Sequence, residues 1–387
     1  MPAESPTGPL AGPRLTRLLL THFRNHASTE LTFSATSDAG MVVFTGPNGA
    51  GKTNILEAIS LMSPGRGLRR ARYGDMVMQN GAGAGFSVAV ELVPIDFEPD
   101  DDPVRIGTGL AAADSPSRDV RIDKVPAKSA DALLEHLVCL WLTPAMDGLF
   151  MGPASDRRRF FDRMVLALHP GHGRAVTRFE QGMRARNKMF DDGVHDQLWF
   201  EAVEEPMAKA AEEVTRARLA TLDLLQQAIT EARDAVSAFP HAVLALDGFS
   251  GAETASNYQE RLSRGRQRDR AAGRALEGPH RVDLLVRHGP KNVEARLAST
   301  GEQKALLIGL ILAQARLVKR ETGRAAVLLL DEIAAHLDEG RRAALFDLCA
   351  ELGGQTFMTG TDTALFDAIS RPADHFEVDG GKVTRAD

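Results

Sequence analysis

The chain has 387 residues, 43% of them hydrophobic and 25% charged, and carries a formal net charge of −6. That length allows two or three domains with at least one full-sized core. The acidic balance excludes a uniformly basic nucleic-acid binder, so any DNA contact must come from local patches. The two cysteines, Cys139 and Cys349, each stand alone in apolar surroundings and read as core thiols, which excludes a disulfide framework and a zinc site.

In chain order, Met1–Pro13 holds four prolines without a basic or apolar leader pattern, and predicts a disordered extension over residues 1–13. From 14 to 154 the pattern is strand-rich, with β-branched runs at Met41–Thr45 and Ser87–Leu92. Asp96, Glu98, Asp100, Asp101 and Asp102, set among prolines, predict a solvated loop. From 155 to 275 the pattern turns helical: in Pro206–Ala238 the apolar residues Met207, Ala211, Val214, Leu222, Leu225 and Ile229 share one helical face. An all-helical lobe is expected there. Over 276–387 strands return, followed by a long apolar helix Ala305–Val318, a buried strand Ala325–Leu330 and a final strand Thr356–Met358. The fold class implied is α/β, a head of mixed sheets with flanking helices interrupted by the lobe. No apolar run is long enough for a bilayer, and a cytoplasmic protein with no membrane partner is expected.

Gly46, Pro47, Asn48, Gly49, Ala50, Gly51, Lys52 and Thr53 match the phosphate-binding pattern G-x-x-x-x-G-K-[ST], between the apolar strand Met41–Thr45 and a helical stretch Asn54–Met62. Glycines let successive backbone N–H groups turn inward on phosphates, and the helix N-terminus adds its positive end. Lys52 is expected to reach the β- and γ-phosphates of ATP, and the Thr53 hydroxyl to coordinate Mg²⁺. Asp331 and Glu332 end the apolar strand, where a buried parallel strand meets a ligand. Asp331 is assigned to the magnesium and Glu332 to the attacking water as its proton acceptor.

Ser299, Thr300, Gly301 and Glu302 open the long apolar helix. Ser299 and Glu302 form a capping box by spacing. The same residues also fit an ABC signature motif, in which serine, glycine and a helix N-terminus face a triphosphate held by a second subunit. Asp338 lies seven residues after Asp331, where the D-loop of an ABC protein would cross a dimer interface.

Together with Phe23-Arg24-Asn25, Gly65–Arg69, Arg157–Asp162, Arg184–Asn187 and Gly278–Arg281, these motifs occur in an order that resembles the RecF family, within the SMC-like branch of ABC ATPases. The resemblance covers most of the chain from Leu15 onward. It implies an ATP-dependent homodimer that binds double-stranded DNA and double/single-strand junctions. It also implies cooperation with RecO and RecR in loading RecA at gaps, association with the nucleoid, and slow ATP hydrolysis as a release switch. Two residues depart from the pattern: Val282 replaces an acid after His280-Arg281, and Glu302 replaces the glutamine of many signatures. Thr359-Gly360-Thr361-Asp362 lacks the switch histidine of transporters, as the family does.

Arg24 and Asn25 are candidates for nucleotide contact, with a structural hairpin role as the alternative. Arg66, Arg69, Arg70 and Arg72, and the run Arg157, Arg158 and Arg159, either contact DNA phosphates or pair with carboxylates on a solvated face. With two Tyr and two Trp in the chain, base stacking is a poor main contact, and Trp141 and Trp199 read as core residues. Two other functions compete: the nucleotide-binding subunit of a transporter, which needs the switch histidine, and a structural SMC protein, which needs long heptad arms that the sequence lacks.

Overall fold

The computed structural model describes residues 11–34, 40–79, 85–94, 102–232, 238–248 and 254–386. Alternation builds the first sheet: in β4 (Phe86–Val93), Phe86, Val88, Val90 and Leu92 are buried and the residues between them face outward. It pairs with β1 (Arg14–Phe23), β2 (His26–Thr32), β5 (Val104–Leu110), β6 (Asp119–Ile122) and β7 (Val125–Pro126) in an antiparallel sheet of order β2-β1-β4-β5-β6-β7.

Continuous apolar runs build the second sheet. β3 (Met41–Thr45), β8 (Cys139–Leu142), β12 (Val327–Leu330) and β13 (Thr356–Gly360) are buried at every position, as parallel strands covered on both faces must be. With β14 (Ala373–Asp379) and β15 (Lys382–Arg385) the order is β15-β14-β3-β13-β12-β8. All neighbours are parallel except the β14–β15 hairpin. The strand Thr356–Met358 expected to be final is thus followed by two more. β14 alternates more and less buried residues and β15 is mostly exposed, so neither reads as a continuous apolar run.

The chain divides into two compact units, one of Met1–Asp147, Val236–Phe239 and Leu307–Asp387, the other of Gly148–Ala235 and Pro240–Leu306. The boundaries at 155 and 275 are corrected accordingly, and so is the all-helical character. The second unit contains helices α2 (Ala154–Leu168), α3 (His172–Asp191), α4 (Gln197–Glu231) and α5 (Ala255–Ala272), but also a three-stranded sheet of β9 (Ala242–Asp247), β10 (Asp283–His288) and β11 (Val293–Glu294). Ala and Leu in β9 are strong helix formers, and pairing with β10 overrides that preference. Helix α4 begins nine residues before Pro206, where the Asp196 carboxylate accepts from Leu198 N and Trp199 N.

Other expectations change at single residues. Ala11 is already anchored, its N–H donating to Gly353 O and its carbonyl accepting from Ala325 N, both at 2.8 Å. The disordered extension is therefore not supported at residues 11–13, and residues 1–10 lie outside the described residues. The acid-rich loop also lies outside them, except exposed Asp102. Trp141 is core, whereas Trp199 is 65% exposed on the first turn of α4, with Phe200 beside it taking the inward position. Cys139 and Cys349 are free and buried, and burial pushes both thiols up to about 12. No described helix is long and apolar enough to cross a membrane.

The arginines of the second unit mostly hold it together. Arg186 is fully buried and donates to Glu204 Oε1 (2.7 Å), Asp269 Oδ2 (2.7 Å) and Leu262 O (2.8 Å). Arg266 closes on the same Glu204, and Arg261 and Arg268 share Glu277. Buried charges are tolerated only when paired and hydrogen-bonded in this way. Val282 packs into the apolar core of this unit with Phe179 and Tyr258, while its neighbour Asp283 carries the acidic group.

Asp162 joins α2 to α4 by a bidentate bond to Arg218 (2.8 and 2.9 Å) and a 2.8 Å contact with His172 Nε2. Burial alone would raise its pKa, but His172 and Arg218 overcome burial and hold the carboxyl at about 2. Because the folded pKa lies below the unfolded one, this stabilisation is present above about pH 4 and is lost as pH falls toward 2. Asp162→Asn is expected to cost on the order of 2 kcal/mol at pH 7 and progressively less toward pH 2, measured by urea unfolding of both proteins across that range.

Candidate functional site

The glycine loop needs its glycines where the backbone is crowded and left-handed. Gly46 has φ 143°, and a Cβ there would lie 2.1 Å from Val378 O; Gly51 has φ 116°, and a Cβ would meet Asn25 Nδ2 at 2.6 Å. The loop then enters α1 (Lys52–Ser60). Pro47, Asn48 and Gly49 are exposed at its tip, whereas Ala50 and Gly51 are buried. The Lys52 ammonium donates to Gly46 O (2.6 Å) and Pro47 O (2.9 Å), bridging the loop's mouth. Burial lowers its pKa, and the nearby carboxylates of Glu332 and Asp331 oppose that.

A second layer fixes the loop from behind. Asn25 Nδ2 donates to Ala50 O (2.9 Å) while its Oδ1 accepts from Asn54 Nδ2 (2.6 Å). Gly381 N also donates to Ala50 O (2.9 Å), so the β14–β15 turn clamps the same carbonyl. His26 is fully buried with Nδ1 at 2.9 Å from Gly381 O and Nε2 at 3.3 Å from Gly51 O. Burial pushes its pKa down, and a neutral ring can donate to only one of these carbonyls, the nearer Gly381 O. Arg24, with φ 56°, grips Glu57 through two 2.8 Å bonds and donates to Asp75 O (2.6 Å). Arg69 reaches the same buried Glu57 (3.0 Å) and Asn54 Oδ1 (2.5 Å). Arg24 and Asn25 thus brace the first hairpin against the loop and its helix.

On the other side of the loop, Asp331 directly follows β12, two strands across from β3. Thr53 Oγ1 donates to Asp331 Oδ1 (2.8 Å), and Thr359 Oγ1, at the end of the intervening β13, donates to the same oxygen (2.8 Å). Burial raises the Asp331 pKa, partly offset by these two hydroxyls. Glu332 follows with left-handed backbone, φ 53°, and its N–H donates to Thr359 Oγ1 (2.9 Å). The structure therefore brings Lys52, Thr53, Asp331 and Glu332 together as their spacing implies. It adds Glu57, His26 and Thr359, to which the sequence alone assigns no role. A lone Glu57 inside the apolar run after the loop is the available signal for one of them; the other two are polar residues at strand ends with no distinguishing pattern.

Ser299 and Glu302 form the capping box. Glu302 Oε2 accepts from Ser299 N (3.0 Å) and Oγ (2.9 Å), and Glu302 N donates back to Ser299 Oγ at 3.4 Å. The Lys291 ammonium, Ser299 N–H and Ser299 hydroxyl hold the Glu302 carboxyl at about 2. These residues begin α6 (Thr300–Thr322), and a Cβ on Gly301 would meet nothing within 4 Å. Asp338 is exposed and caps α7 (Glu339–Leu352), accepting from Arg341 N at 2.8 Å.

The candidate DNA contacts divide. Arg157 is bidentate to Asp283 (2.8 and 2.7 Å) and donates to Gly152 O (2.6 Å), and Arg158 donates to Val282 O (2.8 Å). Both are engaged within the second unit, the second of the two roles open to them. Arg159 is more exposed and pairs with Asp156 one turn away. Arg69 is committed to Glu57, and Arg70 has φ 57° and is exposed. Arg66 is exposed with no ion pair among the described residues.

A glycine loop between a buried parallel strand and a helix, with an acidic pair ending a strand of the same sheet, defines an ATPase head of the ABC type. The family model described as RecF/RecN/SMC N terminal domain matches residues 14–384. A protein from Rhizobium rhizogenes called DNA replication and repair protein RecF is 53% identical over 380 residues, covering 96% of this chain and 98% of that one. One of the same name from Agrobacterium fabrum is 51% identical over 378 residues, covering 96% and 98%. The chain belongs to the RecF family of DNA replication and repair proteins. A solved structure of the recombination mediator protein RecF with ATP, in the RecFOR pathway, is 20% identical and superposes with a TM-score of 0.84, covering 99% of this chain and 100% of that one. The Smc head domain of Pyrococcus furiosus, 18% identical, gives 0.53 over 97% and 96%. At those identities the likeness shows the fold.

Proposed function

We propose that this protein is an ATP-dependent DNA-binding switch of replication and recombinational repair. ATP occupies the loop of residues 46–53, two chains close on it, and the closed dimer holds double-stranded DNA and double/single-strand junctions. There it works with RecO and RecR to load RecA at gaps, and slow hydrolysis releases it. The observation that carries this reading is the run of hydrogen bonds from Thr53 through Asp331 and Thr359 to Glu332, beside the Lys52 ammonium. The Thr53 hydroxyl and Asp331 carboxylate fit Mg²⁺, which takes one or two oxygen ligands from a protein and the rest from phosphates and water. When bound, Mg²⁺ would neutralise phosphate charge. Across the dimer, Ser299 and Gly301 of one chain are assigned to the triphosphate held by the other, with Asp338 at the interface. The open space around Gly301 supports that role. Membership of the RecF family and the absence of a switch histidine leave the transporter reading without support.

DNA binding by a phosphate-contacting surface should be sequence-blind and salt-sensitive. Titrating a duplex with wild type and ATP at several salt concentrations should give a linear log–log fall, and Arg66→Ala should reduce the slope by about 0.9 for each phosphate that Arg66 neutralises. Arg157→Ala should leave the slope unchanged and lower the melting temperature instead. Equal retention of DNA with and without ATP would overturn the switch.

A further inference from the structure

In the sequence Thr359 stands out only for the histidine missing beside it, yet its hydroxyl occupies the centre of the candidate site. The Glu332 N–H can only donate, so at 2.9 Å Thr359 Oγ1 must accept there. Its own proton is then directed at Asp331 Oδ1, 2.8 Å away, the oxygen that also accepts from Thr53. Thr359 is 1% exposed, so neither bond has water as a substitute. The bond it accepts comes from the residue whose backbone needs help: Glu332 sits at φ 53°, a conformation L residues avoid unless the surroundings hold them in it. Turning one residue from right-handed or extended backbone to left-handed redirects its side chain, so this bond decides where the Glu332 carboxylate points.

We propose that Thr359 is the positioning residue for ATP hydrolysis, holding the Glu332 backbone in its left-handed turn and tying it to the Asp331 carboxylate. The inference rests on Glu332 being the proton acceptor. In the step concerned, the oxygen of water forms a bond to the γ-phosphorus, the bond from that phosphorus to the bridging oxygen breaks with ADP keeping the electron pair, and the water proton passes to the Glu332 carboxylate. Thr359 touches none of the reacting atoms. It acts by keeping the carboxylate within reach of the water, and a misplacement of about 1 Å is enough to cost on the order of 10²-fold in rate.

The test compares wild type, Thr359→Val and Thr359→Ser for MgATP hydrolysis under single-turnover conditions and for binding of a fluorescent ATP analogue. Valine preserves the shape and removes the hydroxyl; serine retains it. The expected result is a hydrolysis rate lowered by about 10²-fold in Thr359→Val with analogue affinity within about threefold of wild type, and Thr359→Ser within about threefold of wild type in both. Should valine fail to fold, Thr359→Ala removes the same hydroxyl and carries the same expectation. Hydrolysis at the wild-type rate in the hydroxyl-free variant, or equal losses in the serine and valine variants, would overturn the positioning role and leave the site assignment standing. A wild-type protein that binds the analogue but never hydrolyses ATP would overturn both.

Discussion

Lys52→Ala should lose ATP binding by roughly 10²-fold or more, the cost of removing a charge-assisted hydrogen-bond donor from a polyphosphate. With it should go every ATP-dependent property, dimerisation and DNA retention alike. The expectation is severe because Lys52 has two tasks in the structure. Its ammonium ties Gly46 O and Pro47 O together across the loop, and the same group is the one cation in the loop motif itself available to the β- and γ-phosphates. Alanine removes the brace and the counter-charge at once, while the fold has other supports: Asn25 and Gly381 hold the loop from behind at Ala50 O, and His26 holds Gly381. Isothermal titration with ATP separates these consequences from misfolding when paired with a melting curve near that of wild type. Affinity close to wild type would move the nucleotide elsewhere.

Glu332→Gln should do the opposite to the lifetime of the bound state. ATP should still bind, hydrolysis should slow by about 10²–10⁴-fold, and the dimer should persist on DNA. The substitution is unusually clean here because the bond from residue 332 to Thr359 is made by the main-chain N–H and survives it. Glutamine therefore keeps the position and loses only the ability to take a proton. Pre-steady-state hydrolysis assays check the rate, and a normal rate would transfer the acceptor role to Asp331 or a neighbour.

The parts of this molecule legible in the sequence are those where one physical demand acts on adjacent residues. A strand buried on both faces reads as Val327–Leu330, and a charged pair directly after it must mean something; a loop that wraps phosphate must have Gly46 and Gly51 where a Cβ would collide. Pairings between distant residues were not legible. The arginines after Ser155 and between Arg261 and Arg274 look like a surface for DNA when counted along the chain. Several of their partners lie far away in sequence: Arg186 meets Asp269 and Arg157 meets Asp283, so much of that positive charge is neutralised within the fold. Strand β9 escaped for the same reason, since its partner β10 lies beyond helix α5. Thr359 escaped because a single threonine at a strand end carries no periodicity, and its importance comes only from what Asp331 and Glu332 place beside it.

The central claim is that ATP held by one chain is completed by the signature residues of another. Sedimentation velocity of wild type and Ser299→Arg, each with and without ATP, addresses it most directly. Arginine at this position removes the hydroxyl that caps α6, at a cost of about 1 kcal/mol to the helix, and places a cation against the positive end of its dipole. Wild type is expected to shift from monomer to dimer on ATP, while Ser299→Arg binds ATP with affinity near that of wild type and remains a monomer. Dimerisation of Ser299→Arg on ATP, or loss of ATP binding by its monomer as severe as that of Lys52→Ala, would contradict it.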